Sequence, residues 1–258
     1  MSSELLKDQR PLMIAGLLCL LCLTVLAIFT LFDSTEILGI NRWIKPMKFF
    51  VSFAIFFWTT AIYLYYLQGF EKSARFLSWA TILIFVVEML IILMQVLRGT
   101  TSHFNTRTPL DAILYGVMGF AIFINTLLFI YLLALYFRAK IDLPESIIWG
   151  MRLGLILFLA ASFEGGYMSA QIGHSVGAAD GGAGLPVVNW STKSGDLRVA
   201  HFFGMHAFQA VPFFSHTLEK YNIKSPTVWT FAFAAVYFAV FSFLFVQALQ
   251  EKPFFAGF

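Results

Sequence analysis

Asp196-Leu-Arg-Val-Ala-His201-Phe-Phe-Gly-Met-His206-Ala-Phe-Gln209 drives two histidines and an amide into an otherwise apolar run. The flanking sequence is just as apolar, so these groups sit in a chain built for lipid. Polar side chains at bilayer depth cost free energy and therefore mark a site, a relay or a specific helix contact. The remainder of the chain reads as the scaffold around them.

With 258 residues, 59% hydrophobic and only 12% charged, and with a mean hydropathy of +0.80, the chain lies outside the soluble range and inside the polytopic membrane range. A membrane-crossing helix needs roughly 20 mostly apolar residues. Such runs fall near 11–32, 47–68, 76–97, 111–137, 147–170, 199–216 and 226–249. The expected fold is all-α: a single-domain seven-transmembrane-helix bundle over 1–258. The first run is too long for a signal-peptide core and lacks a small-x-small cleavage site. A net charge of +3 with dispersed cations implies no nucleic-acid partner. Cys19 and Cys22 have CxxC spacing inside a Leu-rich helix and read as small apolar residues.

The third run carries Glu88, with Gln95 seven residues on and the segment Arg98-Gly-Thr-Thr-Ser-His103-Phe-Asn105 at its end. Seven residues are nearly two turns, so Glu88 and Gln95 share a face about 10 Å apart along the axis. The fifth run repeats the pattern with Glu164, Gln171 and His174. Helices 3–4 and 5–6 are therefore expected to form an internal repeat. Asp111 reads as a cap of helix 4, Asn125 as interhelical glue and Pro212 as a kink in helix 6. The 171–198 connection, the longest in the chain, contains the sequon-spaced Asn189-Trp190-Ser191 and reads as a lid, a site loop or a spacer.

Seven spans put loops 1–2, 3–4 and 5–6 on one side. His103, His174 and His201 fall there, with His206 slightly deeper and Glu88 and Glu164 deeper again. Neutral imidazoles and carboxylates are the usual ligands of zinc, iron or copper, so His103, His174, His201 and His206 are the candidate metal ligands. Gly165, Gly166 and Gly204 are expected to clear space for a flat macrocycle, and haem is the alternative cofactor. A proton-transfer reading assigns catalysis to Glu88, Glu164 and His206. Arg42, Lys45, Arg98, Gln95, Gln171, Asn105 and Gln209 then hold a lipid or isoprenoid-like ligand by its phosphate or headgroup. For Arg42 and Lys45, anchoring at the headgroup layer weighs equally. The leading expectation is a metal- or haem-dependent membrane enzyme or redox protein acting on a lipid-like substrate. The alternative is a transporter, channel or receptor using the same Glu/His set as a proton relay or solute site. Helix 7 has no lysine for a retinal Schiff base. Lys7 and Arg10 before the first span favour a cytoplasmic N-terminus.

The segments Asn41-Arg-Trp-Ile-Lys45-Pro-Met-Lys48-Phe, Arg98 to Asn105 and Gly195 to Gln209 resemble those of a widespread but uncharacterised group of bacterial seven-helix integral membrane proteins. The similarity spans most of the chain. It implies a bacterial inner-membrane protein and carries over no activity, cofactor or catalytic residue.

Overall fold

The computed structural model describes residues 8–182 and 184–255. Seven helices account for most of them: α1 Arg10–Phe29, α2 Ile44–Tyr65, α3 Glu71–Leu97, α4 Pro109–Arg138, α5 Glu145–Ala170, α6 Leu197–Lys220 and α7 Pro226–Leu249. All but α6 are long and apolar enough to cross a membrane, and the protein is an integral membrane protein with an all-helical framework. The histidines, amide and hydroxyls of α6 hold its average hydropathy down. Helix starts follow local chemistry. Pro11 and Pro226 sit in first turns, where no N–H donor is missed. Glu71 and Glu145 place acids at helix N-termini. Helix α1 stops at Phe29, short of the expected 32, and α6 runs through Pro212 to Lys220.

The chain divides into two compact units, the first ending at Leu128 and the second beginning at Phe129. In the first, α1 packs on α2 through Gly16, where the Trp58 ring occupies the space a Cβ would need, and Trp58 Nε1 donates to the Met13 carbonyl at 3.3 Å. Helices α2 and α3 meet through Phe53, Phe56, Phe57 and Phe85, with the Phe53 and Phe85 ring centroids 4.3 Å apart. A two-residue hairpin joins β1 (Glu36–Ile37) to β2 (Ile40–Asn41). Its Leu38 and Gly39 both have positive φ, 53° and 76°, as a primed turn demands. Asp33 closes this connection by accepting from Arg42 Nε at 2.6 Å and Trp43 Nε1 at 2.8 Å.

In the second unit, α5 and α6 approach closely because glycines make room. Gly150 admits Ser215 and Pro212, and Gly204 admits Ala161 and Phe241. Helix α7 is held to α6 by Tyr237, whose hydroxyl donates to the Phe203 carbonyl at 2.7 Å, and by the stacked Phe214 and Phe233 rings. Arg152 donates to the Tyr136 carbonyl at the end of α4 at 2.8 Å. Strands β3 (Ser175–Val176) and β4 (Gly195–Asp196) pair across the long connection.

Both units leave large apolar side chains exposed, among them Leu21 and Leu90 in the first and Phe213 and Phe243 in the second. In a bilayer these positions face lipid tails, and close packing and polar contacts hold the helices together.

Candidate functional site

The first unit holds Glu88, Gln95, Arg98, His103, Asn105, Arg42 and Lys45. Glu88 is 2% exposed, lies within the electrostatic reach of Lys45, and its Oε1 has no hydrogen-bond partner among the described residues. Gln95 is buried and Nε2 donates to Asp111 Oδ1 at 2.9 Å. Arg98 pairs with the same oxygen at 2.6 Å and donates to Gln95 Oε1. Thr108 and Asp111 cap α4 reciprocally: the Thr108 hydroxyl donates to Asp111 Oδ2 at 2.7 Å and accepts from the Asp111 N–H at 3.2 Å. Asn105 ties its own loop, donating to Thr100 Oγ1 and the Thr101 carbonyl. His103 lies beside Ser102 Oγ at 3.0 Å and against Phe49. Arg42 and Arg98, expected to hold a substrate anion, each already have an internal carboxylate. Hydrogen bonds from Thr35, then from Arg42 and Trp43, hold the Asp33 carboxyl well below the usual range.

The second unit holds Glu164, Gln171, His174, His201, His206 and Gln209. His201 Nδ1 stands 2.9 Å from Glu164 Oε2 and 3.0 Å from the Ala161 carbonyl. Both partners are acceptors, so the imidazole proton belongs on Nδ1. Nε2 has no hydrogen-bond partner among the described residues, and the side chain is 31% exposed. Gly165 makes this possible: a Cβ there would come within 2.8 Å of His201 Cε1.

His174 has a different job. Its N–H donates to Asp180 at 3.1 Å, and its Nδ1 lies 3.5 Å from Asp180 and 3.6 Å from Asp196. Asp196 is the α6 N-cap and accepts from Arg198 N and Nε and from Ser191 N. Burial opposes ionisation of Asp196, but hydrogen bonds from Arg198 and His174 outweigh it and hold the carboxyl well below its usual range. His206 pairs with Gln209 and packs its ring 4.4 Å from Phe202. Gln171 is exposed and donates to the Gly173 carbonyl.

His174, His201 and His206 therefore each have partners of their own. Among the described residues no three His, Cys, Asp or Glu side chains come together as a metal-holding group. The glycines expected to clear a macrocycle slot do so only at Gly166, which faces open space. His201 fills the space at Gly165, and Ala161 and Phe241 fill it at Gly204. The partnerships of Asp33 with Arg42, Asp111 with Arg98 and Asp180 with His174, and the reach of Lys45 to Glu88, escaped the sequence reading, since each depends on how a helix pair or a loop folds. The Asp196-Leu-Arg198 spacing was the one available clue to a capped, clamped helix start.

No known family, curated protein or solved structure matches the chain.

Proposed function

We propose that the protein is a seven-span bacterial inner-membrane enzyme, N-terminus in the cytoplasm, that moves a proton on a lipid-like or isoprenoid-like substrate through His201. Here α6 is the seventh span; its 24 residues reach about 36 Å at 1.5 Å per residue. One observation carries the reading: Glu164 fixes the His201 ring by Nδ1 at 2.9 Å and leaves Nε2 the free nitrogen. A carboxylate that holds the tautomer and stabilises the imidazolium is how a histidine becomes a general base. Apolar surface around the pair, including Phe163 and Phe202, favours an amphiphile that arrives through the lipid. Glu164 is the positioning residue. Arg42, Arg98, Gln95 and Asn105 are occupied in loop closure and carry no substrate role in this reading.

An oriented imidazole with a free Nε2 is also the form that ligates zinc, copper or haem iron, which is how a redox role would arise. The side chains do not fit a resident ion, because His201 has no second and third donor beside it. The proposed chemistry is therefore acid–base.

The test is incubation of purified protein with a bacterial lipid extract, followed by mass spectrometry against the His201→Gln variant. Expected is a lipid species consumed by the wild type alone. Identical lipid profiles for the two proteins sink the reading. An absorption spectrum and metal analysis of the same sample decide the cofactor: a Soret band or stoichiometric metal replaces the acid–base mechanism.

A further inference from the structure

The interior of the first unit contains six buried polar atoms with no hydrogen-bond partner among the described residues: Thr60 Oγ1, Ser78 Oγ, Thr81 Oγ1, Glu88 Oε1, Tyr115 OH and Asn125 Oδ1. Serine and threonine inside a helix ordinarily satisfy the hydroxyl on the carbonyl four residues back. Thr24, Thr59, Thr126, Ser162 and Ser215 do so in this protein. Thr60, Ser78 and Thr81 do not, although each is 3% exposed or less. Their hydroxyls are left for something else.

The unsatisfied groups are spread in depth. Helix rise puts Glu88 about 13 Å, Thr81 about 24 Å and Ser78 about 28 Å from the Leu97 end of α3. From the Pro109 end of α4, Tyr115 lies about 9 Å in and Asn125 about 24 Å in. This ladder covers most of a hydrocarbon core roughly 30 Å thick. Thr81, Glu88 and Gln95 recur every seven residues and so line one face of α3, buried throughout. Gln95, Arg98 and Asp111 form its polar mouth at the loop end. Buried water requires two to four polar partners and is the standard way such groups are satisfied. One orphan would call for a single trapped water. Six, five of them spread from about 9 to about 28 Å along α3 and α4, call for a file of them.

The file has a dry point. Phe85 lies between Thr81 and Glu88 along α3, and Phe53, Phe56 and Phe57 of α2 close around it. Glu88 is the carboxylate beside that constriction, and Lys45 is the charged group from α2 whose field reaches it.

We propose that the first unit carries a hydrated proton path along the buried face of α3, with Glu88 taking up and releasing the proton and the Phe85 cluster separating the two halves. A hydronium on one side gives a proton to the Glu88 carboxylate, forming its O–H and leaving water. Water on the other side takes that proton and restores the carboxylate. The transmembrane proton gradient drives the exchange, with no redox step. The path uses none of the residues around His201 and stands or falls without them.

The full chain in phosphatidylcholine–phosphatidylglycerol vesicles with internal pyranine, driven by a potassium gradient and valinomycin, tests it. Proton entry several-fold faster than in protein-free vesicles is expected, with loss to the protein-free rate in Glu88→Gln, a partial loss in Thr81→Val and a faster rate in Phe85→Ala. A wild-type rate equal to that of protein-free vesicles overturns the proposal, as does a Glu88→Gln rate equal to wild type. Dicyclohexylcarbodiimide, which modifies protonated carboxyls in apolar surroundings, serves on the wild type if Glu88→Gln fails to fold. Labelling of the Glu88 peptide with parallel loss of flux supports the path. Full flux after complete labelling overturns it.

Discussion

Glu88 and Glu164 occupy the same place in the sequence pattern, each seven residues before a glutamine in an apolar helix, and the structure gives them different company. Glu164 has an imidazole from α6 on Oε2 at 2.9 Å. Glu88 has the field of Lys45 and no imidazole, while each carboxylate keeps its Oε1 without a hydrogen-bond partner among the described residues. Their glutamines diverge too: Gln95 is buried on Asp111, while Gln171 is exposed and holds only the Gly173 carbonyl. A repeated spacing thus places a buried carboxylate in each unit. The residue supplied by the neighbouring helix, an imidazole for Glu164 and none for Glu88, sets the two carboxylates apart.

The contrast breaks most visibly in turnover. His201→Gln should lower lipid conversion by about 10²–10⁴-fold, the usual worth of a positioned general base, with a smaller loss in Glu164→Gln. Equal losses in Glu88→Gln under the same assay would dissolve the distinction between the two carboxylates.

Removing Asp196 comes next. Asn at this position weakens the α6 cap and leaves Arg198 and His174 without their carboxylate, costing about 2–3 kcal/mol in denaturant unfolding of the detergent-purified protein. Because the native carboxyl ionises well below its unfolded value, its contribution is fully present above about pH 4. It is lost as pH falls from there through the native pKa. Thermal unfolding of the wild type should therefore weaken in acid below that point. Asp196→Asn should lack that component, and parallel acid curves for the two proteins would refute the assignment.

Two adjacent glycines offer a finer comparison. Gly165→Ala pushes a methyl into the His201 ring and should cost about 1–3 kcal/mol. Gly166→Ala meets open space and should stabilise the helix by about 0.5–1 kcal/mol. Thermal shift assays on the pair read out the sign.

The smallest expected effect lies in one of the two glutamines. Gln95→Ala leaves a buried network short of a donor, worth about 1–3 kcal/mol, whereas Gln171→Ala should stay within about 0.5 kcal/mol. If both behave alike in denaturant titrations, the two halves are more alike than their hydrogen bonds indicate.

The helices were legible because each apolar run of about 20 residues has few other places to go, and even α6 could be placed from its flanks. Helix ends were less so: the chain turns after Phe29 and continues helical past Pro212, where local hydrogen bonding overrides composition. Glu88, Glu164 and His201 stood out as polar groups in apolar surroundings. Their partners did not, because Lys45 reaches Glu88 from a different helix and Asp180 reaches His174 only once residues 175–180 have turned back. Arg42 and Arg98 looked available for a ligand in sequence because nothing in a linear pattern shows that Asp33 and Asp111 claim them.

Those claims recur in a third connection, where Asp196 takes Arg198. Each pair is close in sequence, nine, thirteen and two residues apart, so each closes within one connection and the first turn of the helix that follows it. A helical hairpin can thus pair one acid and one base at its own connection before the next hairpin is made. Any of these connections that crosses a bilayer would then carry a matched ion pair in place of two solitary charges.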